Sequence, residues 1–184
     1  MVTQTAGDPA LEVGLIGSEG MLGASVSLGV EVAPFHALVQ GAGAALRLGN
    51  RDFLRQLAKS PRLQREINRY LFVLMTQLAT AAACVRFHMI LPRLARWLLV
   101  TQDRARSERF HVTHEFLAHM LGVRRVGITV AAGSLQDRGV ISYSRGDMVV
   151  LDRGALEAEA CACYAADRAT YATTFTRPAG RQKS

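Results

Sequence analysis

Arg124 and Arg125 follow Gly122 by two and three residues, and Val126, Thr129 and Val130 come after them at helical spacing. A guanidinium can fork onto the O6 and N7 edges of guanine or hold a phosphate, and a valine can meet the methyl group of thymine. Gly127 in the same run would let a backbone approach a partner closely. Just upstream, Thr113 and His114 open a short apolar-periodic segment, where helix N–H groups and the helix dipole favour a phosphate. Side chains of these types, at these spacings, do recognition chemistry on a nucleic acid rather than bond-making chemistry.

Such side chains need a rigid frame, and the stretch 113–135 supplies one. Leu117, Ala118 and Leu121 line one face of a first helix. Val123, Ile128, Ala131 or Ala132, and Leu135 line the inner face of a second. Gly122 lies between them, where a sharp corner needs a residue that tolerates positive φ. Ala118, four residues earlier, lets the helices cross closely, and Ile128, six residues later, plugs the corner. A small residue, a glycine and a branched apolar residue at these offsets describe a helix-turn-helix, with the second helix as reader. An αα-corner that only packs satisfies the same pattern, so the surrounding chain has to separate the two.

Other chemistry finds less support. His111, His114 and His119 with Cys161 and Cys163 suggest zinc, but His114 and His119 are five residues apart, on different helix faces, and no CxxC pair exists. The expectation is no metal and no cofactor, with Cys161 and Cys163 as one packed and one partly exposed thiol. Ser18-Glu19 and Ser107-Glu108 lack a positioned histidine and a nucleophile turn. The run GAGAALR lacks the Lys-Ser/Thr ending of a phosphate-cradling loop. The chain does not read as an enzyme.

Charge is unevenly placed. Residues 84–184 hold fifteen Lys/Arg against nine Asp/Glu, whereas 1–83 hold seven against six. A basic C-terminal half fits a polyanionic partner. Only Lys59 and Lys183 of the cations are lysines. With 49% apolar residues the 184-residue chain can fill a core. Three cysteines make no disulfide framework, which fits a reducing compartment. No basic leader precedes an apolar run, and the apolar segment 70–85 is interrupted by Thr76, Gln77 and Thr80. A cytoplasmic protein without a membrane partner is expected.

Residues 1–10 are polar and read as loose. Residues 11–48 break into short apolar pieces with seven glycines, a pattern of strands and turns, with 36–40 and 44–48 as the better strands. Asn50 or Asp52 can cap a short helix at 53–59. Ser60-Pro61 starts a long one over 61–85. Its apolar positions Leu63, Ile67, Tyr70, Leu74, Leu78, Ala81 and Val85 step by three and four, close to a heptad seam. Such a seam predicts pairing with a second copy, burial within one chain being the other reading. Pro92 opens a helix over 93–101 with Leu94, Trp97 and Leu98 inward, Trp97 as a core anchor. Arg138-Gly139 stops the reader helix, and the runs around Arg145-Gly146-Asp147 form a hairpin, a wing with Arg145 at its tip. Asp152 caps a last helix containing Leu156, Cys161 and Tyr164, before a polar tail that frays over 177–184.

The order of these parts resembles the Crp/Fnr family of bacterial transcription regulators. The run Leu94-Ala95-Arg96-Trp97-Leu98-Leu99, the stretch 113–122 and Gly139-Val140-Ile141 carry most of the match. The resemblance implies an α+β fold in four parts: a partial β-roll sensor region over 1–50, a short helix and long dimerisation helix over 51–87, a winged helix-turn-helix over 88–165, and a tail over 166–184. It implies homodimers on near-palindromic promoter sites, contact with RNA polymerase, and an unidentified small-molecule effector. Arg125 aligns with a family arginine that contacts guanine. Arg124 stands where a Ser or Thr is usual, and Val126 where a Glu is frequent. The roughly fifty residues ahead of the helices are fewer than a complete β-roll needs. Glu19-Gly20 inverts the family's cyclic-nucleotide Gly-Glu, and Pro34-Phe35-His36-Ala37 replaces its phosphate-binding arginine. Cyclic AMP binding is therefore not expected. Nor is an iron–sulfur cluster, since 1–83 lack cysteine.

Overall fold

Leucine at 94, 98 and 99, with Ala95 between them, gives α3 (Ile90–Ala105) an apolar face that disappears completely into the core. Around it pack α4 (His114–Leu121), α5 (Arg125–Asp137) and α6 (Arg153–Glu159). Leu117, Ile128, Leu135, Met148 and Leu156, all fully buried, close the cluster. Trp97 anchors it as expected, its ring edge-on to Phe110 and Phe116 at 6.4 Å each. The computed structural model describes residues 1–3, 11–33 and 35–176. Residues 4–10, Pro34 and the expected frayed tail at 177–184 lie outside the described residues.

One three-stranded antiparallel sheet, in the order β3-β5-β4, lies against this bundle. Its strands are β3 (Arg109–His111), β4 (Ile141–Ser144) and β5 (Asp147–Val150). Ile141 faces Val150 and Ser144 faces Asp147 across the hairpin. Ile141, Met148 and Val150 alternate inward, so one sheet face joins the core while the other stays wet. Together these elements are the α+β, winged helix-turn-helix half that the residues led one to expect.

The N-terminal region departs from expectation. Among the described residues, 1–50 hold only β1 (Val2–Thr3), β2 (Leu11–Glu12), a bridge from Val2 to His36 and a 3₁₀ turn at Ala24–Leu28. No strand forms at 36–40 or 44–48; Val39 and Leu46 are exposed, and apolar pieces cut by glycine find no sheet to join. What order there is comes from side chains. The half-buried Glu12 carboxylate accepts from Trp97 Nε1 at 3.1 Å and from Gln40 Nε2 at 2.6 Å. Burial pushes its pKa up, opposed by those two hydrogen bonds.

Helix α1 (Asn50–Lys59) starts earlier than expected, with Gly49 rather than Asn50 or Asp52 at its cap. Helix α2 (Pro61–Phe87) begins as foreseen, Ser60 Oγ accepting from Leu63 N–H at 3.2 Å with Pro61 in the first turn. The helix has a different inner face from the predicted seam. Ile67 is buried against Val26, Phe53 and Leu57, with Leu63 and Leu71 beside it. Tyr70 donates its hydroxyl to Met21 C=O at 3.0 Å. Leu63, Ile67 and Tyr70 are thus committed within the chain, and Leu74, Leu78 and Ala81 are half-buried. The apolar face left in solvent is Phe72, Met75, Ala79, Ala82 and Ala83. An almost wholly apolar surface offers more than one stripe of period 3.6, so spacing alone does not choose between them. Contrary to expectation, α2 is by length and composition apolar enough to cross a bilayer.

The last expected helix is two. After α6 the chain breaks at 160–162 and resumes as α7 (Cys163–Phe175), which packs on α2 and runs through the residues assigned to a tail from 166. Arg96 meets Asp167 at 2.7 Å, tying α7 to α3. Asp152 caps α6 through Ala155 N–H at 2.9 Å, as foreseen.

Between α4 and α5, Gly122 takes φ 61°, ψ 44°. A side chain there would adopt a left-handed backbone, at about 1–2 kcal/mol, and its Cβ would lie 2.9 Å from Leu11 Cδ1. Gly122→Ala should lower unfolding free energy by about that amount, with Gly122→Asn milder because Asn tolerates this region. Urea unfolding of the three proteins measures it; an unchanged midpoint for the alanine variant would refute the strained-corner account.

Candidate nucleic-acid interface

The corner fixes where the reader helix points. Gly122 N–H donates to His119 C=O at 3.1 Å and Val123 N–H to Ala118 C=O at 2.9 Å, closing the end of α4. The buried guanidinium of Arg93 donates to Leu121 C=O, adding a cation where the helix dipole is negative. Thr113 Oγ1 caps the start of α4 by accepting from Phe116 N–H at 3.1 Å. Helix α5 then lies with Ile128, Ala131, Ala132 and Leu135 inward; both alanines are buried.

Its outer face is the reverse. Val126 is 67% and Val130 69% exposed, against 0% for Ile128 between them. Arg124, at the helix cap, and Arg125, its first residue, are exposed. Among the described residues neither arginine enters an ion pair, while Arg96, Arg104, Arg138, Arg153 and Arg168 are all paired with carboxylates. Unpaired cations beside exposed apolar side chains, on a helix with a buried opposite face, suit a polyanion that also presents methyl groups.

Gly127 sits against α3: a Cβ at this position would come 2.5 Å from Ile90 Cδ1. Thr129 and His114, expected as independent contacts, are bound to each other, His114 Nδ1 to Thr129 Oγ1 at 3.1 Å. Thr129 Oγ1 also donates to Arg125 C=O at 3.2 Å. The His114 ring stacks on Tyr143 of β4, centroids 4.2 Å apart and planes 14° from parallel. His114 therefore joins the start of α4, the outer face of α5 and the wing. Sequence reasoning missed Tyr143, although its place two residues before the wing turn put it within reach of α4.

The wing turn is Arg145-Gly146, both with positive φ, 51° and 91°. Two positive values across a two-residue loop make the primed turn whose twist suits a hairpin. Gly146 is enforced by the His111 ring, 2.5 Å from where a Cβ would be. Arg145 is exposed at the tip and, among the described residues, enters no ion pair.

Of the five side chains weighed for zinc and set aside, the three histidines do not converge. His111 Nδ1 lies 3.2 Å from Asp147 Oδ1, and His119 Nδ1 lies 3.1 Å from Glu115 C=O. The metal-capable side chains that do converge are Cys84, His88, Cys161 and Cys163. Cys161 and Cys163, one of which was expected to be partly exposed, are both buried. The signal was present as Cys84-x₃-His88 at a helix end and Cys161-x-Cys163, too far apart in the chain to be read as one set.

Residues 92–159 match the family described as the Crp-like helix-turn-helix domain. Among solved structures, FixK2 from Bradyrhizobium japonicum superposes with a TM-score of 0.54 at 13% identity, over 61% of this chain and 59% of that one. Two Thermus thermophilus transcriptional regulators also match. One, of the CRP family, has TM-score 0.47 and 24% identity, over 55% of each chain. The other, of the CRP/FNR family, has 0.49 and 22%, again over 55% of each. The chain thus spans 55–59% of the length of these proteins. No curated protein sequence matches it.

Burial, and secondarily the charge of Arg125, hold the His114 pKa below its ordinary 6.5. The folded ring thus favours the neutral form. Stability from this site is fully present above 6.5 and is lost as pH falls through 6.5 and on through the lowered folded value. His114→Gln should flatten that part of the stability–pH curve. Denaturant unfolding between about pH 8 and about pH 5 checks it; parallel curves for the two proteins would refute the partly buried, neutral ring.

Proposed function

We propose, from the match of residues 92–159 to the Crp-like helix-turn-helix domain, that the chain is a sequence-specific transcription regulator of the Crp/Fnr type that binds double-stranded DNA. The observation that carries the reading is the outer face of α5: exposed Val126 and Val130 beside exposed Arg124 and Arg125, which enter no ion pair among the described residues, on a helix locked from behind by Ile128 and Leu135. Arg125, in the first turn, forks onto one guanine per half-site, while Arg124 at the cap holds backbone phosphate. Val126 and Val130 meet thymine methyls. The N–H groups at the start of α4, around Thr113 and His114, take a second phosphate, and Arg145 reaches a third from the wing tip.

The remaining roles follow the same reading. Residues 1–50 are the sensor region for an unidentified small-molecule effector, 51–87 the dimerisation segment, and the winged domain the DNA reader that also meets RNA polymerase. The setting is the cytoplasm, and the chain binds rather than catalyses. Homodimers form along the face of α2 that its own chain leaves bare, where Phe72 is 53% and Met75 61% exposed and Ala79, Ala82 and Ala83 let two backbones approach. Two readers related by a two-fold axis face near-palindromic half-sites about one helical turn apart.

Binding of the purified protein to a randomised duplex library at several salt concentrations tests the reading. Affinity should fall steeply with salt, since phosphate contacts release counterions. Arg125→Ala should cost about 1–3 kcal/mol on the selected site and relax preference at one base pair in each half. Arg124→Ala should weaken all sequences alike and reduce the salt slope by about one unit per subunit. Full base preference in Arg125→Ala would show the register of α5 to be misassigned. A helical dimer that binds a ligand or protein partner without reading DNA would show no salt-dependent duplex affinity at all.

Assembly has its own test. Met75→Glu places a charge in the centre of the bare α2 face and should give monomers. In Leu74→Glu or Leu78→Glu the change falls on half-buried positions. Sedimentation reads the outcome; a dimer mass retained by Met75→Glu would exclude this face.

A further inference from the structure

We infer that Cys84, His88, Cys161 and Cys163 form a binding site for a zinc-class divalent cation, set at the joint between α2 and the helix-turn-helix domain. Cys84 lies in the last turn of α2, and His88 is the residue that ends it, four positions on and so on the same face. Cys161 lies in the break between α6 and α7, and Cys163 is the first residue of α7. One ligand atom from each of the four lies within 4.8 Å of every other. Cys84 Sγ is 3.5 Å from Cys161 Sγ, and Cys163 Sγ is 3.6 Å from His88 Nδ1.

Those separations are what tetrahedral zinc asks for. With Zn–S near 2.3 Å and Zn–N near 2.0–2.1 Å, the edges of a Cys₃His tetrahedron are about 3.5–3.8 Å. Two of the six separations already match such edges, and the others, bounded by 4.8 Å, close by movements of about an ångström or less at each side chain. Ordinary packing accounts for buried thiols, but not for an imidazole nitrogen turned into a group of three of them. Three thiolates and one imidazole form a soft donor set that selects zinc over magnesium or calcium. All four positions come from protein, so the site is closed, the structural type rather than the catalytic one.

The surroundings suit the charge. Three thiolates around a dication leave one net negative charge, and Arg93 and Arg96 of α3 share a cavity wall with Cys84. Backbone groups hold the ligands from outside: His88 N–H donates to Cys84 C=O at 3.1 Å, and Cys161 N–H to Pro92 C=O at 3.3 Å. The ion would join two segments, 84–88 and 161–163, at the point where α2 hands over to α3, fixing the angle at which the long helix enters the helix-turn-helix domain. The assignment does not depend on whether α5 reads DNA.

The test uses the full chain, reduced and stripped with a chelator, then titrated with Co²⁺ and Zn²⁺ against a chromogenic competitor. The expected result is one ion per chain, a cobalt spectrum with tetrahedral d–d bands and thiolate charge-transfer absorption, and displacement of cobalt by zinc. Cys163→Ser and His88→Ala should each lower affinity by more than the about 10–100-fold that losing an outer-shell partner costs. Cys163→Ser should also reduce the charge-transfer intensity. Because His88 is only half-buried, its alanine variant tests the site with little change to the core. A wild-type protein that takes up no stoichiometric metal, gives an octahedral cobalt spectrum, or forms a Cys84–Cys161 disulfide in preference to binding the ion would overturn the proposal. So would unchanged affinity in both variants. Should a variant fail to fold, the wild-type stoichiometry and spectrum decide alone.

Discussion

The left-handed backbone at Gly122 turns α4 into α5 within three residues, and the placement of every exposed group on the reader face follows from that turn. Ala118 and Ile128 can meet only if the chain bends there, and Ile128 is fully buried because it does. The same bend sets Arg124 at the cap of α5 and turns Val126 and Val130 away from the core. The end of α4 would otherwise leave carbonyls unpaired; Gly122, Val123 and the buried Arg93 satisfy them. The corner is therefore both a geometric and a hydrogen-bonding requirement, and a backbone shift there would move the reader as a unit.

Contacts from other parts of the chain converge on the same place. Leu11 lies against Gly122, and Glu12, one residue on, holds the indole of Trp97. Arg104 reaches Glu19 at 2.8 Å, and Tyr171 of α7 donates to Glu19 C=O at 3.1 Å. A region almost without regular structure is thus attached to α3 and α7 through polar side chains. Such contacts are directional and each is worth little in net stability.

The helix-turn-helix was legible because several constraints on residue type fall within a short stretch and agree with one apolar period. The wing was legible for a related reason: Arg145-Gly146 between alternating runs leaves few alternatives to a hairpin. Positions 36–48 were not, because short apolar runs become strands only when a sheet exists to receive them. The inner face of α2 was ambiguous for the opposite reason, an excess of apolar residues; Ile67 and Met75 both lie on plausible stripes, and α1 and α7 decide between them. At Gly127 the residue type was informative but its partner was not, since Ile90 lies 37 positions away. The cysteine and histidine cluster is the extreme case, with 77 residues between Cys84 and Cys161.

Arg145 holds the tip of the wing in a conformation that glycine or asparagine would adopt at lower cost. A drift of random substitutions at this position that selected for folding alone would be expected to settle on one of those two. An arginine there makes the hairpin a little less stable and its outermost atom positive. The wing tip is thus a site where improving the fold and keeping the charge pull in opposite directions, and a library screened for thermal tolerance would tend to discard the residue that a screen for polyanion affinity would retain.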